Sequence, residues 1–328
     1  MKLLILGGTV FLSKEIGRQA IERGHEVTVA ARGESGEPPP GAQFIRIDRT
    51  DPSTLEPLRG REFDAVVDVA RIPAHVAETL EVLGDNVGHY TLVSSISVYA
   101  DHSEPGKSAQ TAETLEPIEA DFAEPPGDAQ TYGRSKVTVE NLVRDKYGDR
   151  AFIPRPGLII GPHDDADRFG YWPWRIAQGG EILAPSADAL VQWIDVRDLA
   201  SWIIGAAERK YKGTYDAICE PIAWSDFLSQ IAKAVGTDPE FVYTNSEFLL
   251  EQGVNPWAGE ESLGMWVPDS MAGMTGYDGK PARDAALHIR PLSETVAGWQ
   301  ETNTEADLQA KLSPEKESAV IAAWKART

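Results

Sequence analysis

Cysteine and long apolar runs are both nearly absent from this 328-residue chain. Cys219 is the only cysteine, which excludes an intrachain disulfide, and its apolar surroundings indicate a small core residue rather than a nucleophile. The apolar run at residues 1–6 is too short for a signal peptide, and no stretch approaches the length of a membrane span. These absences predict a cytoplasmic protein without a membrane partner.

Basic residues are also scarce, with 31 lysines and arginines against 51 aspartates and glutamates, a formal net charge of -20. Such a surface repels phosphate backbones, so we expect no nucleic-acid partner. The densest basic cluster, at residues 208–212, is typical of a solvated helix end. The composition therefore favours a small-molecule substrate.

Strand and helix patterns alternate through the first two hundred residues, which is typical of a parallel sheet covered on both faces. We predict an α/β fold: a Rossmann-type doubly wound parallel sheet with a smaller, discontinuous C-terminal substrate domain. The dinucleotide-binding domain is predicted over residues 1–160, completed by about 188–217, and the substrate domain over 161–187 and 218–328. The acidic, aperiodic segment 101–130 is predicted to be a long loop.

The first predicted strand runs directly into a glycine turn and then a helix, the context in which a dinucleotide pyrophosphate rests on a helix N-terminus. The usual pattern has glycines at positions 7, 10 and 13, but only Gly7 matches, because Val10 and Ser13 occupy the other two. A plain strand-to-helix turn therefore remains the alternative. The residues predicted to contact the cofactor in this turn are Gly7, Thr9, Val10, Phe11 and Leu12.

The second and third predicted strands indicate which dinucleotide binds. NAD sites carry an acid at the end of the second strand, whereas this strand ends at Arg32, which suits a 2′-phosphate. We therefore predict NADP, with NAD as the alternative. Asp48 is predicted to accept a hydrogen bond from the adenine amino group, and small Ala70 is predicted to lie beside the cofactor.

Tyr132 and Lys136 lie four residues apart, so on a helix they share one face. We expect the lysine cation to lower the tyrosine pKa and to hold the hydroxyls of a cofactor ribose. Ser95, which follows an apolar strand, is expected to orient a substrate oxygen while Tyr132 transfers the proton. The three residues together predict an enzyme that transfers a hydride.

The chain resembles the extended short-chain dehydrogenase/reductase family, also called the NAD-dependent epimerase/dehydratase family. The resemblance implies the Rossmann domain, the Ser95, Tyr132 and Lys136 triad, a cofactor contact at Pro156, and a homodimer. The glycine turn is also similar to that of a subgroup with chloroplast RNA-binding members. The motifs that carry the resemblance are Gly-Gly-Thr-Val-Phe at 7–11, Val-Ser-Ser-Ile-Ser-Val-Tyr at 93–99, Tyr-Gly-Arg-Ser-Lys at 132–136, Arg-Pro at 155–156 and Asp-Val-Arg-Asp-Leu at 195–199.

Three activities are compatible with these residues. Family dehydratases carry an acidic pair after the serine, whereas Ile96 and Ser97 occupy those positions here, so dehydration is not expected. The main prediction is an NAD(P)-dependent oxidoreductase acting on a carbonyl or hydroxyl of a small, non-nucleotide substrate. The alternatives are a sugar or sugar-nucleotide epimerase with tightly bound NAD, and a non-catalytic nucleotide-binding or RNA-associated relative.

The segment 164–174 combines acids with aromatic residues. Its aspartates would repel a diphosphate if they faced the pocket, and its aromatic rings are typical of either a pocket wall or an ordinary core. Arg168 either binds a substrate carboxylate or pairs with Asp167. The predicted substrate contacts are Ser95, Arg168, Phe169, Tyr171 and Trp172, and no metal site is predicted.

Overall fold

The computed structural model describes residues 1–327; residue 328, the end of the predicted substrate domain, lies outside the described residues. The strands are β1 (Lys2–Leu6), β2 (Glu26–Ala31), β3 (Gln43–Arg46), β4 (Ala65–Asp68), β5 (Tyr90–Leu92), β6 (Ala151–Pro156), β7 (Ile159–Ile160), β8 (Glu181–Ala184), β9 (Leu190–Val191), β10 (Ile194–Asp195), β11 (Gly213–Ala217), β12 (Ile222–Ala223), β13 (Glu240–Tyr243), β14 (Asn255–Trp257), β15 (Gly259–Glu260), β16 (Ser262–Gly264) and β17 (Ala310–Lys311). The α-helices are α1 (Phe11–Glu22), α2 (Pro73–Leu83), α3 (Ala129–Tyr147), α4 (Tyr171–Ala177), α5 (Val196–Arg209), α6 (Trp224–Val235), α7 (Ser246–Glu251), α8 (Lys280–Asp284), α9 (Leu292–Thr302) and α10 (Pro314–Lys325). Short 3₁₀-helical segments lie at Pro52–Leu58, Ile96–Val98, Gly148–Arg150, Asp269–Thr275 and Glu305–Asp307.

Seven parallel strands form the central sheet in the order β11-β6-β5-β4-β1-β2-β3. The chain passes from β1 outward to β3 and then returns to place β4 on the other side of β1. This reversal of strand order next to β1 is the point at which doubly wound sheets bind ligands, outside the carboxyl ends of the strands.

The side chains of β1 explain why both faces of the sheet are covered. Leu3 and Ile5 belong to one apolar cluster and Leu4 and Leu6 to another, because successive side chains of a strand point to opposite faces. Helices α1 and α5 pack together in the first cluster, and α2 and α3 pack together in the second. The predicted doubly wound Rossmann-type fold is therefore confirmed.

A third large cluster of buried residues is drawn from residues 158–193 and 219–321. It contains most of the buried rings of the C-terminal half, among them Trp224, which packs against Trp172 with ring centroids 5.0 Å apart. A separate core of this composition is what the predicted discontinuous substrate domain would require; the boundaries themselves stay a prediction.

Two of the helices show how local sequence sets their bounds. Helix α5 begins after Asp195, whose side chain accepts from the amide of Arg197, and Ser313 caps α10 by accepting a hydrogen bond from the amide of Lys316 at 3.2 Å, with Pro314 in the first turn. Cys219 is buried in the C-terminal core, where burial raises the pKa of its thiol to about 12. Among the described residues, no helix is long and apolar enough to span a membrane.

Candidate active site

The glycine turn lies at the carboxyl end of β1, where Gly7 has φ +107° and donates its amide to the carbonyl of Ala30 at 2.9 Å. Residues that carry a side chain rarely adopt this backbone conformation, which explains why glycine occupies the position. Helix α1 begins at Phe11, and its N-cap residue Val10 makes no side-chain cap, which leaves first-turn amides available to an anion. The Ser13 hydroxyl donates to the carbonyl of Val10 at 2.9 Å, within the turn itself.

A cavity of about 410 Å³, here called the Gly7 groove, opens beside this turn. It brings together five of the residues predicted to contact the cofactor: Gly7, Thr9, Arg32, Asp48 and Ala70. Four other residues predicted to contact the cofactor do not line the Gly7 groove. Val10 is exposed beside a neighbouring cavity, Phe11 lines two other cavities, and Leu12 and Pro156 are buried and line none of these cavities. The Leu12 side chain packs in the core between α1 and the sheet, so a cofactor contact at this position would involve its backbone, and the contact stays a prediction.

Asp48 and Arg32 place charges of opposite sign in the lining of the Gly7 groove. Hydrogen bonds from the amide and hydroxyl of Thr50, at 2.9 and 2.8 Å, lower the pKa of Asp48, with a smaller contribution from the charge of Arg32. Arg32 is half-exposed and lies 3.5 Å from Glu34, so its guanidinium remains accessible to a ligand.

Lys136 is almost fully buried on α3, and its ammonium donates to the carbonyl oxygens of Ala70 and Val93, each at 2.7 Å. These two partners follow β4 and β5, so the lysine bridges two neighbouring strand ends. Burial lowers the pKa of Lys136 to about 8. An ammonium has three donors, which leaves one for a ligand hydroxyl.

Tyr132 lies one turn before Lys136, with the ammonium 5.9 Å from the centre of its ring. Burial raises the pKa of the phenol, while the nearby Ser95 hydroxyl and the charge of Arg71 act in the opposite direction. The expected lowering of this pKa by Lys136 is not observed, because the loss of hydration outweighs the groups that favour the phenolate, and these are Ser95 and Arg71.

Ser95 is held in place by its neighbour Ser97. Its hydroxyl accepts from the Ser97 amide at 3.1 Å and donates to the Ser97 hydroxyl at 3.1 Å, which caps the turn Ile96–Val98. Ser94, by contrast, is buried, and its hydroxyl has no hydrogen-bond partner among the described residues. Of these serines, Ser95 and Ser97 line a cavity with Tyr132.

This second cavity, here called the Tyr132 cavity, has a volume of about 580 Å³. It joins Ser95 and Tyr132 with the loop 164–168 and with residues from the middle and the C-terminal part of the chain that no sequence pattern marks. These additional lining residues are Gly157, Leu158, Ile159, Pro256, Trp257, Val267, Pro268, Met271 and Met274. Most of them are apolar, and none belongs to a motif.

Three predicted substrate contacts belong to the core instead. Phe169, Tyr171 and Trp172 are each 0% exposed, and none lines the Tyr132 cavity. The indole of Trp172 donates to the carbonyl of Gly264 at 2.8 Å, which ties α4 to β16. The prediction of substrate contact is corrected for all three, because their rings pack within the C-terminal cluster.

Arg168, the remaining prediction, does line the Tyr132 cavity. It does not pair with Asp167, whose carboxylate accepts instead from the amide of Gly170 at 2.7 Å and the indole of Trp299 at 2.5 Å. Burial raises the pKa of Asp167 to about 6 and that of Asp164, which lines the cavity, to about 7.

A buried ionic cluster lies behind Lys136. Glu140, one turn later on α3, is 0% exposed and accepts from Arg155 at 2.8 and 2.7 Å and from Arg144 at 2.6 Å. Burial opposes ionisation of Glu140, but Arg155 outweighs it and holds the carboxyl pKa below its ordinary value. The sequence analysis did not identify Glu140, because a helical glutamate is usually solvated.

The geometry of the Gly7 groove fits a nicotinamide dinucleotide. The uncapped amides of α1 can hold a pyrophosphate. Lys136 does not line the groove, but it donates to the carbonyl of Ala70, which does, so its spare donor is available to a ribose hydroxyl beside Ala70. Within the described residues, no cluster of three or more His, Cys, Asp or Glu side chains could hold a metal ion.

Residues 3–218 match the NAD dependent epimerase/dehydratase family, and the chain belongs to that family. The expected resemblance to extended short-chain dehydrogenases is thereby confirmed. A curated relative is the chloroplast stem-loop binding protein of 41 kDa b of Arabidopsis thaliana, which is 27% identical over 265 residues. That match covers 74% of this chain and 66% of the relative, just under two thirds of its length.

Solved structures share the fold at low sequence identity. The enzyme WbmH of Bordetella bronchiseptica, crystallised with NAD⁺, is 17% identical with a TM-score of 0.62, over 92% of this chain and 99% of that one. The UDP-glucose 4-epimerase of Thermus thermophilus, crystallised with NAD, is 18% identical with a TM-score of 0.59 and the same coverage. These likenesses establish the shared fold.

Proposed function

We propose that the protein is an NAD(P)-dependent oxidoreductase that acts on a carbonyl or hydroxyl group of a small, non-nucleotide substrate. The observation that carries the proposal is the position of the Tyr132 phenol beside Ser95 in the wall of one cavity, with Lys136 anchored one turn away. Membership of the NAD dependent epimerase/dehydratase family supports a nicotinamide cofactor.

The protonation state of Tyr132 favours carbonyl reduction. Because burial raises its pKa, the phenol carries its proton at neutral pH and can donate it to a carbonyl oxygen. Ser95 orients that oxygen when its hydroxyl turns away from Ser97 and donates to the substrate instead. When bound, the nicotinamide supplies the hydride.

Lys136 serves mainly to hold the cofactor ribose, through the donor that Ala70 and Val93 leave free. Arg32 is the residue that we assign to a 2′-phosphate, which makes NADP the preferred cofactor and NAD the alternative. Asp48, in the same groove, is available to the adenine amino group.

The composition of the Tyr132 cavity supports a non-nucleotide substrate. Asp164 and Asp165 both line it, and although the pKa of Asp164 is about 7, so that this carboxyl is only partly ionised at neutral pH, their negative charge opposes a diphosphate at close range. The mainly apolar remainder of the wall suits a compact, partly apolar molecule.

The first experiment measures thermal stabilisation of the purified protein by NADPH and NADH, followed by absorbance at 340 nm with a panel of small ketones and aldehydes. We expect stabilisation by NADPH and net oxidation of NADPH with at least one carbonyl compound. Tyr132→Phe should keep the thermal shift and lose about a hundredfold or more in turnover. Absence of dinucleotide binding, or full turnover by Tyr132→Phe, would refute the proposal.

Epimerisation is the second candidate, favoured by the shared family and fold. An epimerase would interconvert sugar or sugar-nucleotide epimers without a net change at 340 nm, so product analysis on the same samples distinguishes the two. A third function, nucleic-acid binding, is raised by the name of the chloroplast relative, but the net charge of -20 opposes it.

A further inference from the structure

Arg168 is the only basic residue among the described residues that line the Tyr132 cavity. Within residues 1–327, its guanidinium has no hydrogen bond and no ion pair, and its only close partner is the ring of Trp257, 5.1 Å from the guanidinium carbon. Burial lowers its pKa, although the charge of Asp164 partly compensates. An arginine that is largely withdrawn from water and lacks an acceptor is suited to bind an anion.

The backbone on both sides of Arg168 is held firmly. Asp167 is fixed by Trp299 and Gly170, and Phe169 is fully buried. The carbonyl of Arg168 packs so closely against Gly264 that a Cβ atom there would lie 2.1 Å from the oxygen. The backbone that carries Arg168 is therefore already ordered before a ligand binds, which reduces the entropy lost on binding.

The charge balance of the cavity limits which anion fits. Asp164 and Asp165 share the cavity with a single arginine, so a phosphate dianion would meet more repulsion than a monoanion. The planar guanidinium fork also matches the two oxygens of a carboxylate. Apolar side chains, among them Leu158, Val267 and Met274, provide the surface for an apolar body.

We propose that Arg168 binds the carboxylate of the substrate, so that the substrate class is a small oxo or hydroxy acid with an apolar body. This inference rests on the proposed function, because it takes the Tyr132 cavity to be the place where the reacting carbonyl binds. Trp257 supports the guanidinium by a cation–π contact.

The test compares matched ligands by isothermal titration calorimetry on full-length protein, with and without NADPH. The probes are hexanoate, 4-phenylbutyrate and phenylpyruvate, the methyl ester of each, and phenyl phosphate. We expect at least one acid to bind ten or more times tighter than its ester and tighter than phenyl phosphate. Arg168→Gln should reduce the acid-to-ester ratio to within about twofold, whereas Arg168→Lys should keep part of it.

Arg59→Gln is the matched control, because Arg59 is exposed, pairs with Glu56 and does not line the cavity. It should keep the full preference for the acid. The inference is overturned if every ester binds as tightly as its acid, if phenyl phosphate binds tightest, or if the preference survives in Arg168→Gln. Dinucleotide binding is measured separately, so loss of the carboxylate preference with intact NADPH binding contradicts this inference alone. No NADPH binding contradicts the proposed function.

Discussion

Gly133 lies so close to Ser97 that a Cβ atom on the glycine would be 2.1 Å from the serine carbonyl oxygen. Backbone therefore meets backbone where α3, which carries Tyr132, packs against the turn Ile96–Val98 that follows Ser95. Any larger side chain would force the two segments apart. The glycine inside the Tyr-Gly-Arg-Ser-Lys motif thus has a packing role that the motif alone does not reveal.

Gly133→Ala is expected to lower the free energy of unfolding by roughly 1–3 kcal/mol through overpacking. Displacement of the phenol by about 1 Å should also reduce kcat/KM about a hundredfold. Urea unfolding and steady-state kinetics measure the two effects. Gly127→Ala is the control, because a Cβ there meets nothing within 4 Å, and equal behaviour of the two variants would contradict the packing argument.

Dinucleotide affinity should depend on pH through Lys136. The pKa of this lysine is about 8, so the ammonium is charged below that pH and becomes neutral as the pH rises through it. We expect NADPH to bind at least about threefold more weakly at pH 9.5 than at pH 7, because the charged form is the better partner for the cofactor. Lys136→Met should bind NADPH weakly with little change over this range, and an unchanged slope in the variant would assign the effect to another group.

Arg32→Ala should weaken NADPH binding about ten- to a hundredfold and leave NADH binding nearly unchanged, because only NADPH carries the 2′-phosphate. Arg46→Ala provides the comparison, since Arg46 is exposed on β3 directly opposite Ala31 but does not line the Gly7 groove. Titrations of both variants with NADPH and with NADH measure these affinities. Equal losses for NADPH and NADH would remove Arg32 from the 2′-phosphate site.

Asp164 should make the protein less stable as the pH rises. Its folded pKa of about 7 exceeds the unfolded value near 3.9, so between these values the folded state binds more protons. Asp164 should then contribute a fall in the free energy of unfolding from about pH 4 to about pH 7, in addition to the fall due to Asp167, whose pKa is about 6. Asp164→Asn should lose the contribution of Asp164 and become more stable than the wild type by roughly 1–4 kcal/mol at pH 8. Asp165→Asn removes the same charge from an exposed neighbour and should leave the pH profile nearly unchanged. Parallel profiles for wild type and Asp164→Asn would contradict this assignment.

Replacing only one member of the buried pair Glu140 and Arg155 should destabilise the protein strongly. Glu140→Leu is expected to lower the free energy of unfolding by about 3–5 kcal/mol, because the Arg155 charge would remain buried without its carboxylate. The double variant Glu140→Leu, Arg155→Met should recover much of this loss. Additive losses in the double variant, measured by urea unfolding, would show that the two side chains do not act as a pair.

The N-terminal half of the fold could be predicted because its signals are local and repeated. Apolar strands such as β1 alternate with helices, and the glycine turn and the Tyr132 helix each lie in one short segment. The meeting of Ser95 and Tyr132 in one cavity follows from the parallel topology, since both lie near the carboxyl ends of neighbouring strands.

The substrate side could not be predicted in the same way. Trp257 and Met274 reach the Tyr132 cavity from loops and short elements far along the chain, where no periodicity marks them. Phe169 and Trp172 look identical in sequence to pocket-lining aromatics, and only tertiary packing assigns them to the core. The direction of the Tyr132 pKa shift could not be predicted from the sequence either, because it depends on how much water the fold removes from the phenol.

The bridge that Lys136 makes between the carbonyls of Ala70 and Val93 gives this side chain an architectural duty besides its proposed catalytic one. Tyr132→Phe would remove the phenol and leave this bridge in place, whereas replacement of Lys136 would remove both the bridge and the proposed ribose contact. Loss of activity in a lysine variant alone would therefore be no sign of a role in proton transfer.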